Sequence, residues 1–322
     1  MITRRTLGLA ALATPAITGH ANAQAQRLRW AHVYEVAEPY HTEALWAAQQ
    51  FRERTNGKFN IEVFAASALG NEPQINQGLT LGTIDMIYTG VAFAGASFRA
   101  LAISHAPYAL RDYPHFQAYR GSDLHRELIT GYDTQTRHHA LALTYYGDRM
   151  VTANKNIMTP ADMRGLKLRV PQAPSFLMFA RAVGANATPI AFAEVYLALQ
   201  NGTVDAQENP LPTIQAKKFY EVQSHVVLTA HITDSLLSIV SGTTWRRFNA
   251  AEQGMMREIL AQAADRCGAA IRGLEQELAA WFRTQGKTVV EPDRAAFRAA
   301  CVPLHNVDVG WTRAQYDRMQ GL

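Results

Sequence analysis

The sequence predicts an α/β protein built as two lobes. Three observations carry that reading: a strand, helix, strand order near the start, a second copy of the same local pattern much later, and a long helical stretch beyond both. At 322 residues, 48% hydrophobic and 18% charged, the chain has ordinary globular composition and enough material for one large core or two smaller ones.

Leu28 to Tyr34, "LRWAHVY", has strand composition and is followed by an amphipathic helix over His41 to Arg54 that stops before Asn56-Gly57. "KFNIEVFA" alternates as a second strand. A helix from Glu72 to Leu81 then ends at Gly82, and Thr83 to Tyr88 returns to strand composition. The later copy places a helix over Glu194 to Gln200 before Asn201-Gly202 and the strand start Thr203-Val204-Asp205. Gly82-Thr83-Ile84-Asp85 and Gly202-Thr203-Val204-Asp205 are one helix-stop and strand-start solution used twice, and their matching contexts give the match its weight. Between the copies, Thr159 reads as an N-cap, Pro160 as the first helical residue and Gly165 as a helix stop before a short strand. From Ala250 to about Gln285 the pattern is helical with few breaks, long enough to brace two lobes. No short period recurs, which excludes a solenoid.

The first residues combine Arg4-Arg5, an apolar run from Leu7 to Ile17 and an Ala21-Asn22-Ala23 end, the pattern of an export signal cut before Gln24. The paired arginines are compatible with twin-arginine export and with an ordinary secretory start. That run is too short to span a bilayer, and no later segment is long and apolar enough, so the expected mature protein is periplasmic and does not span the membrane. Cleavage removes two arginines and no acids, lowering the formal charge from +4 to +2 (31 − 2 basic against 27 acidic residues). Scattered basic residues on a near-neutral chain give no electrostatic case for nucleic acid. Cys267 and Cys301 could pair in an oxidising compartment, against the commoner reading of two buried thiols.

In "LKLRV", Leu166, Leu168 and Val170 share one face of a strand, and Lys167 and Arg169 the other. On a strand covered from both sides Arg169 needs a partner or a ligand, because an unpaired charge away from water is costly. Its guanidinium fork fits a carboxylate, either of a ligand or of an Asp or Glu in a structural salt bridge. On periodicity alone the structural pair is the preferred reading. Asn209 in "QENP" follows a strand, where ligand sites of α/β folds gather, but it also fits a turn before Pro210. Arg149 in "YYGDRM" follows a strand and a glycine, and could equally be a surface arginine paired with Asp148. No metalloprotease, nucleophile-elbow, phosphate-loop or dinucleotide motif is present. His138-His139 and the Glu35, Glu38, His41 spacing fall short of a metal set, so no metal or cofactor is expected.

Three segments, "GLKLRVPQAP", "PIAFAEVYLALQNGTVDAQENPLPTIQAKKFYEVQ" and "FAASALGNEPQINQGLTLGTIDM", together resemble the extracytoplasmic solute receptors of tripartite ATP-independent periplasmic (TRAP) transporters, the DctP family, in the branch with C4-dicarboxylate and sialic acid receptors. The resemblance spans essentially the whole mature chain and is strongest from Arg149 to Gln223. It implies a two-lobed, type II-like periplasmic binding protein that closes on its ligand like a hinged clamp, with a long helix across both lobes. On that reading residues 24–146 and 235–274 form lobe I, and residues 147–234 and 275–322 form lobe II.

The same resemblance makes Arg169 the anchor for a ligand carboxylate, with Asn209 helping to hold it, Arg149 as a second basic contact and Phe192 as an aromatic wall. Asn71, Tyr34, His41, Tyr88 and Asp234 are candidate pocket residues by position. "MIYTGVA" lacks the acidic residue that sialic acid receptors carry after the matching strand, which argues against sialic acid itself. The expected function is capture of a small organic acid, a sugar acid or a hydroxy or keto monocarboxylate, by a monomer that hands it to the small and large permease subunits. An aromatic carboxylate or a C4-dicarboxylate remains the alternative ligand. A sensor kinase in place of the permease, and an exported enzyme clamping a similar acid with Arg169, are the rival classes.

Overall fold

The computed structural model describes residues 25–322. The export signal expected over residues 1–23 lies outside the described residues. In chain order the elements are β1 (Gln26–Ala31), α1 (Pro39–Arg54), β2 (Phe59–Phe64), α2 (Glu72–Leu81), β3 (Met86–Gly90), α3 (Val91–Ala94), α4 (Tyr113–Gly121), α5 (Asp123–Thr136), β4 (His139–Ala153) and β5 (Lys167–Val170). There follow α6 (Leu177–Val183), β6 (Asn186–Pro189), α7 (Val195–Gln200), β7 (Ala206–Pro210), α8 (Leu211–Ala216), β8 (His225–Val227), β9 (Thr233–Val240), α9 (Gly242–Trp245), α10 (Ala250–Thr284), β10 (Thr288–Val290), α11 (Arg294–Cys301) and α12 (Arg313–Gln320).

One curled sheet runs β2-β1-β3-β9-β4-β7-β5-β6, and β4 passes through both lobes. Its first part, His139 to Asp148, pairs antiparallel with β9, and its last part, Arg149 to Ala153, pairs with β7. The changeover falls at Gly147, where the register shifts and φ is +117°. Lobe I is the β2-β1-β3-β9 side and lobe II the β7-β5-β6 side, each with parallel pairs joined through helices as the alternating pattern requires.

The repeated tetrapeptide has one structural job in both lobes. Gly82 and Gly202 take positive φ, +74° and +73°, and turn the chain out of α2 and α7. Asp85 then accepts from the backbone N–H of Arg29 at 2.8 Å and Asp205 from that of Lys167 at 3.0 Å, so each aspartate ties its turn to the neighbouring parallel strand.

α2 has the expected bounds, opened by a capping box in which Asn71 and Gln74 bond each other's backbone N–H. The segment expected to open with Thr159 is a single 3-10 turn, Pro160–Met163, whose Asp162 carboxylate accepts from the Thr159 N–H. Four residues between Pro160 and the Gly165 stop are too few for more. α10 has 35 residues, about 52 Å at 1.5 Å per residue. It packs on α1, β4 and α8, and its far end reaches β10 and sets the Trp281 and Phe282 rings edge-on and tilted against Tyr220.

Beyond α10 the chain returns to both lobes. α11 packs on α6, with Phe297 against Phe179. The chain end bonds to lobe I instead: His305 reaches the Pro107 carbonyl at 2.7 Å, Arg318 pairs with Glu127, and Arg111 holds the Gln320 and Leu322 carbonyls. The grouping of residues 275–322 with lobe II is therefore corrected at its end, because α12 finds its partners on α4 and α5. Cys267 and Cys301 are buried free thiols. Among the described residues no helix is long and apolar enough to cross a membrane, and no group of three His, Cys, Asp or Glu side chains is placed to hold a metal ion.

Candidate functional site in the cleft

The strand ends of both lobes converge on a narrow cavity of about 20 Å³. Lobe I contributes Val33, Tyr34, Glu72, Gly90 and Phe93, and lobe II contributes Arg169, Pro171, Phe176, Phe192 and Asn209. Tyr146, Arg149, Asp234 and Leu236 come from the β4 and β9 crossing.

Arg169 is 1% exposed. Its Nε and Nη2 donate to the Ile190 carbonyl at 3.0 and 2.7 Å, while Nη1 has no partner. No carboxylate lies in ion-pair range among the described residues, so the structural salt bridge favoured by periodicity is absent. Burial lowers its pKa to about 10, with nearby Glu208 acting against the fall, so the group keeps its charge at neutral pH.

Arg149 is equally buried but fully engaged. Its fork meets the Glu208 carboxylate, Nη1 donates to Asp234 at 2.9 Å, and Nη2 donates to the Glu208 carbonyl at 2.7 Å and to Asn209 Oδ1 at 3.2 Å. Burial opposes its charge, but Glu208 and Asp234 outweigh burial and raise its pKa. Burial likewise opposes the Glu208 carboxylate, and Arg149 pulls it down to about 2. His231 completes the group, 3.2 Å from Glu208 and stacked on Phe179. The alternative pairing of Arg149 with Asp148 does not form, because Asp148 faces Thr233. The two arginines thus divide the work: one is neutralised within the wall, the other has a spare donor.

Asn209 is held from three sides, accepting from Arg149 and from the Tyr146 hydroxyl at 3.3 Å and donating to Gln207 at 2.7 Å. Phe192 and Tyr34 face each other with ring centroids 6.4 Å apart, and Phe93 and Phe176 stand 6.1 Å apart. Three sequence candidates fall elsewhere. Asn71 spends its side chain capping α2, Tyr88 lies on a strand buried on both faces with its ring 5.0 Å from Trp30, and His41 meets His32 at 3.1 Å.

Glu72, the neighbour of Asn71, takes the pocket position. Its Oε1 accepts from the Gly90 N–H at 3.1 Å, and burial together with repulsion from Asp234 raises its pKa to about 7. Tyr146, Phe93 and Phe176 were also missed as pocket residues, and Glu208 as the buried carboxylate that engages Arg149. Glu208 and Tyr146 adjoin residues singled out by motif, whereas the two phenylalanines carry no sequence signal that separates them from core.

The family model of the bacterial extracellular solute-binding proteins, family 7 (DctP), matches residues 30–308. The sialic acid-binding periplasmic protein SiaP of Vibrio cholerae is 33% identical over 269 residues, covering 82% of this chain and 83% of that protein. A TRAP periplasmic solute-binding protein of Roseobacter denitrificans with bound L-galactonate superposes with a TM-score of 0.87 at 28% identity, over 92% of this chain and 98% of that one. Another from a Polaromonas species, bound to D-erythronate, gives 0.88 at 26% identity over 92% and 99%. With the family match running through both lobes and the cleft at their junction, this chain belongs to the DctP family of bacterial extracellular solute-binding proteins, receptors rather than enzymes.

Proposed function

We propose that this protein is a periplasmic receptor that closes on a small organic acid and delivers it to a TRAP permease of one small and one large membrane subunit. The observation that carries the reading is Nη1 of Arg169, a charged donor without a partner inside the cleft. A ligand carboxylate supplies the missing acceptor, and closure around it strengthens the pair by excluding water. Asn209 adds its remaining amide hydrogen, oriented by Arg149 and Tyr146, so Arg149 acts through the asparagine and the charge balance of the wall. The export signal, and delivery by a monomer, belong to this same proposal.

The class of acid follows from the rest of the lining. Glu72 and Asn209 offer acceptors and donors to hydroxyl or keto groups, while Tyr34 and Phe192 cover the carbon skeleton. This favours a sugar acid or a small hydroxy or keto monocarboxylate, in keeping with relatives that bind L-galactonate and D-erythronate. The three phenylalanines of the wall support an aromatic carboxylate as the second reading.

A thermal-shift screen against sugar acids, short hydroxy acids, aromatic acids and C4-dicarboxylates tests the proposal, since a ligand bound only by the folded protein raises its apparent stability. A stabilising monocarboxylate recovered chemically unchanged is expected. Turnover of the acid, or no shift with any carboxylate, would overturn it.

A further inference from the structure

The loop between β1 and α1 and the end of α8 meet across the cleft mouth through two polar contacts, the inner of which adjoins the cavity wall, the Thr213 hydroxyl lying 3.3 Å from the Tyr146 hydroxyl. Thr213 and Lys217 lie one helical turn apart, the Lys217 N–H bonding the Thr213 carbonyl at 2.9 Å, so their side chains share a face. Deeper in, the Thr213 hydroxyl donates to Glu38 Oε1 at 2.6 Å, with both residues buried. The second oxygen of Glu38 accepts from the Glu35 N–H at 2.7 Å and so fixes the loop. Nearer the rim, Lys217 Nζ meets Glu35 Oε1 at 2.7 Å, with side chains only 16% and 27% exposed. The same ammonium stands 5.2 Å from the centroid of the Phe192 ring, the aromatic wall facing Tyr34.

We infer that Lys217–Glu35 at the rim, with Thr213–Glu38 beneath it, is a latch that holds the two lobes closed over the bound acid, with Lys217 as a positioning residue for the Phe192 wall. The inference rests on the proposed receptor function. The geometry favours a latch over an incidental surface pair for three reasons. The partners belong to opposite lobes, so their contact exists only when α8 and the loop approach. The pair is sheltered, which limits the screening that makes exposed pairs weak. Lys217 also ties closure to the cavity, because the cation that reaches Glu35 rests against Phe192. Contacts formed after capture slow release and leave the first encounter unchanged, so the latch sets residence time and does not select the ligand.

The test uses a full-length L81C/M158C protein carrying a spin label at each introduced thiol. Leu81 in lobe I and Met158 in lobe II are 69% and 42% exposed, whereas native Cys267 and Cys301 are buried. D-erythronate and L-galactonate are the probes. In the parent, an acid that binds enriches the short interlobe distance. Lys217→Met and Glu35→Gln should each lower the closed-to-open ratio and speed release about 5-fold, with association unchanged, the scale of one sheltered ion pair with a cation–π contact. The charge swap E35K/K217E should restore most of the ratio, which a purely structural lysine would not allow. Parental ratio and release rate in Lys217→Met would overturn the latch. If neither acid binds the parent, that ligand class fails, and the latch is read from the unliganded distance distribution, where Lys217→Met must still deplete the short distance or the inference falls.

Discussion

Arg169 gives both Nε and Nη2 to the single carbonyl oxygen of Ile190, which turns its third nitrogen into the cleft. Ile190 lies just before Phe192, so one short turn fixes the cation and the aromatic wall together. A lysine could offer charge at that place but not the second prong that holds the group in one orientation.

Arg169→Met should therefore abolish acid binding with little change in the unliganded protein. Losing the partner of a buried carboxylate costs about 3–5 kcal/mol, or roughly a hundred- to several-thousand-fold in affinity. Calorimetry with the best acid from the screen, alongside thermal unfolding without it, gives both numbers. Retained binding, or a large fall in unliganded melting temperature, would assign Arg169 to structure instead.

Arg149→Met should do the opposite and damage the fold. It strands Glu208 and Asp234 in a buried wall, at a cost of about 3–5 kcal/mol. The pH dependence has a defined sign. The folded pKa of Glu208 is depressed from 4.5 to about 2, so its stabilisation is present above pH 4.5 and is lost as pH falls toward 2. Urea unfolding across that range should show a steep loss in the parent and a shallower one in Glu208→Gln.

The lobes were legible because a repeated local solution leaves a repeated spelling: Gly82 and Gly202 need positive φ, and Asp85 and Asp205 serve neighbouring strands. The arginines were visible as charges on strands, yet their division was not. Which one meets a carboxylate depends on Glu208 of β7 and Asp234 of β9, both brought beside β4 by sheet pairing. Tyr88 and Asn71 misled because each sits beside the cleft in sequence while its side chain is committed elsewhere, to core packing and to a helix cap. The place of α12 was hidden for a related reason: its partners, Glu127 of α5 and Arg111 before α4, lie far away in sequence and carry no mark of the pairing.

Glu72 should make acid affinity pH-dependent near neutrality. Burial, reinforced by Asp234, raises its carboxyl to about 7, while the Gly90 N–H, Arg149 and Arg169 act to lower it. His105, held near 4 by burial, is neutral in that window. As pH rises from 6 to 8 the site gains a negative charge, and affinity for a monoanionic acid should fall roughly 5- to 10-fold. Glu72→Gln should flatten that profile. The stability difference follows the same group: the parent's advantage over Glu72→Gln is fullest below pH 4.5 and shrinks as pH rises through 7. A parental slope in the variant would place the titration elsewhere.

Gly147 should tolerate alanine worse than Gly202 does, although both have positive φ. At Gly202 an added Cβ meets nothing within 4 Å, so the cost is conformational alone, about 1 kcal/mol. At Gly147 the Cβ would stand 2.8 Å from Pro210 Cβ and 3.1 Å from Glu275 Oε1, the oxygen that also accepts from the Asp148 N–H. The clash falls where β4 changes partners from β9 to β7, so relief of it must shift one lobe against the other. Gly147→Ala should lose about 2–3 kcal/mol, which at roughly 2–4 °C per kcal/mol is several degrees more than Gly202→Ala. Paired thermal unfolding curves decide it, and equal losses would show that the crossing strand bends at no cost.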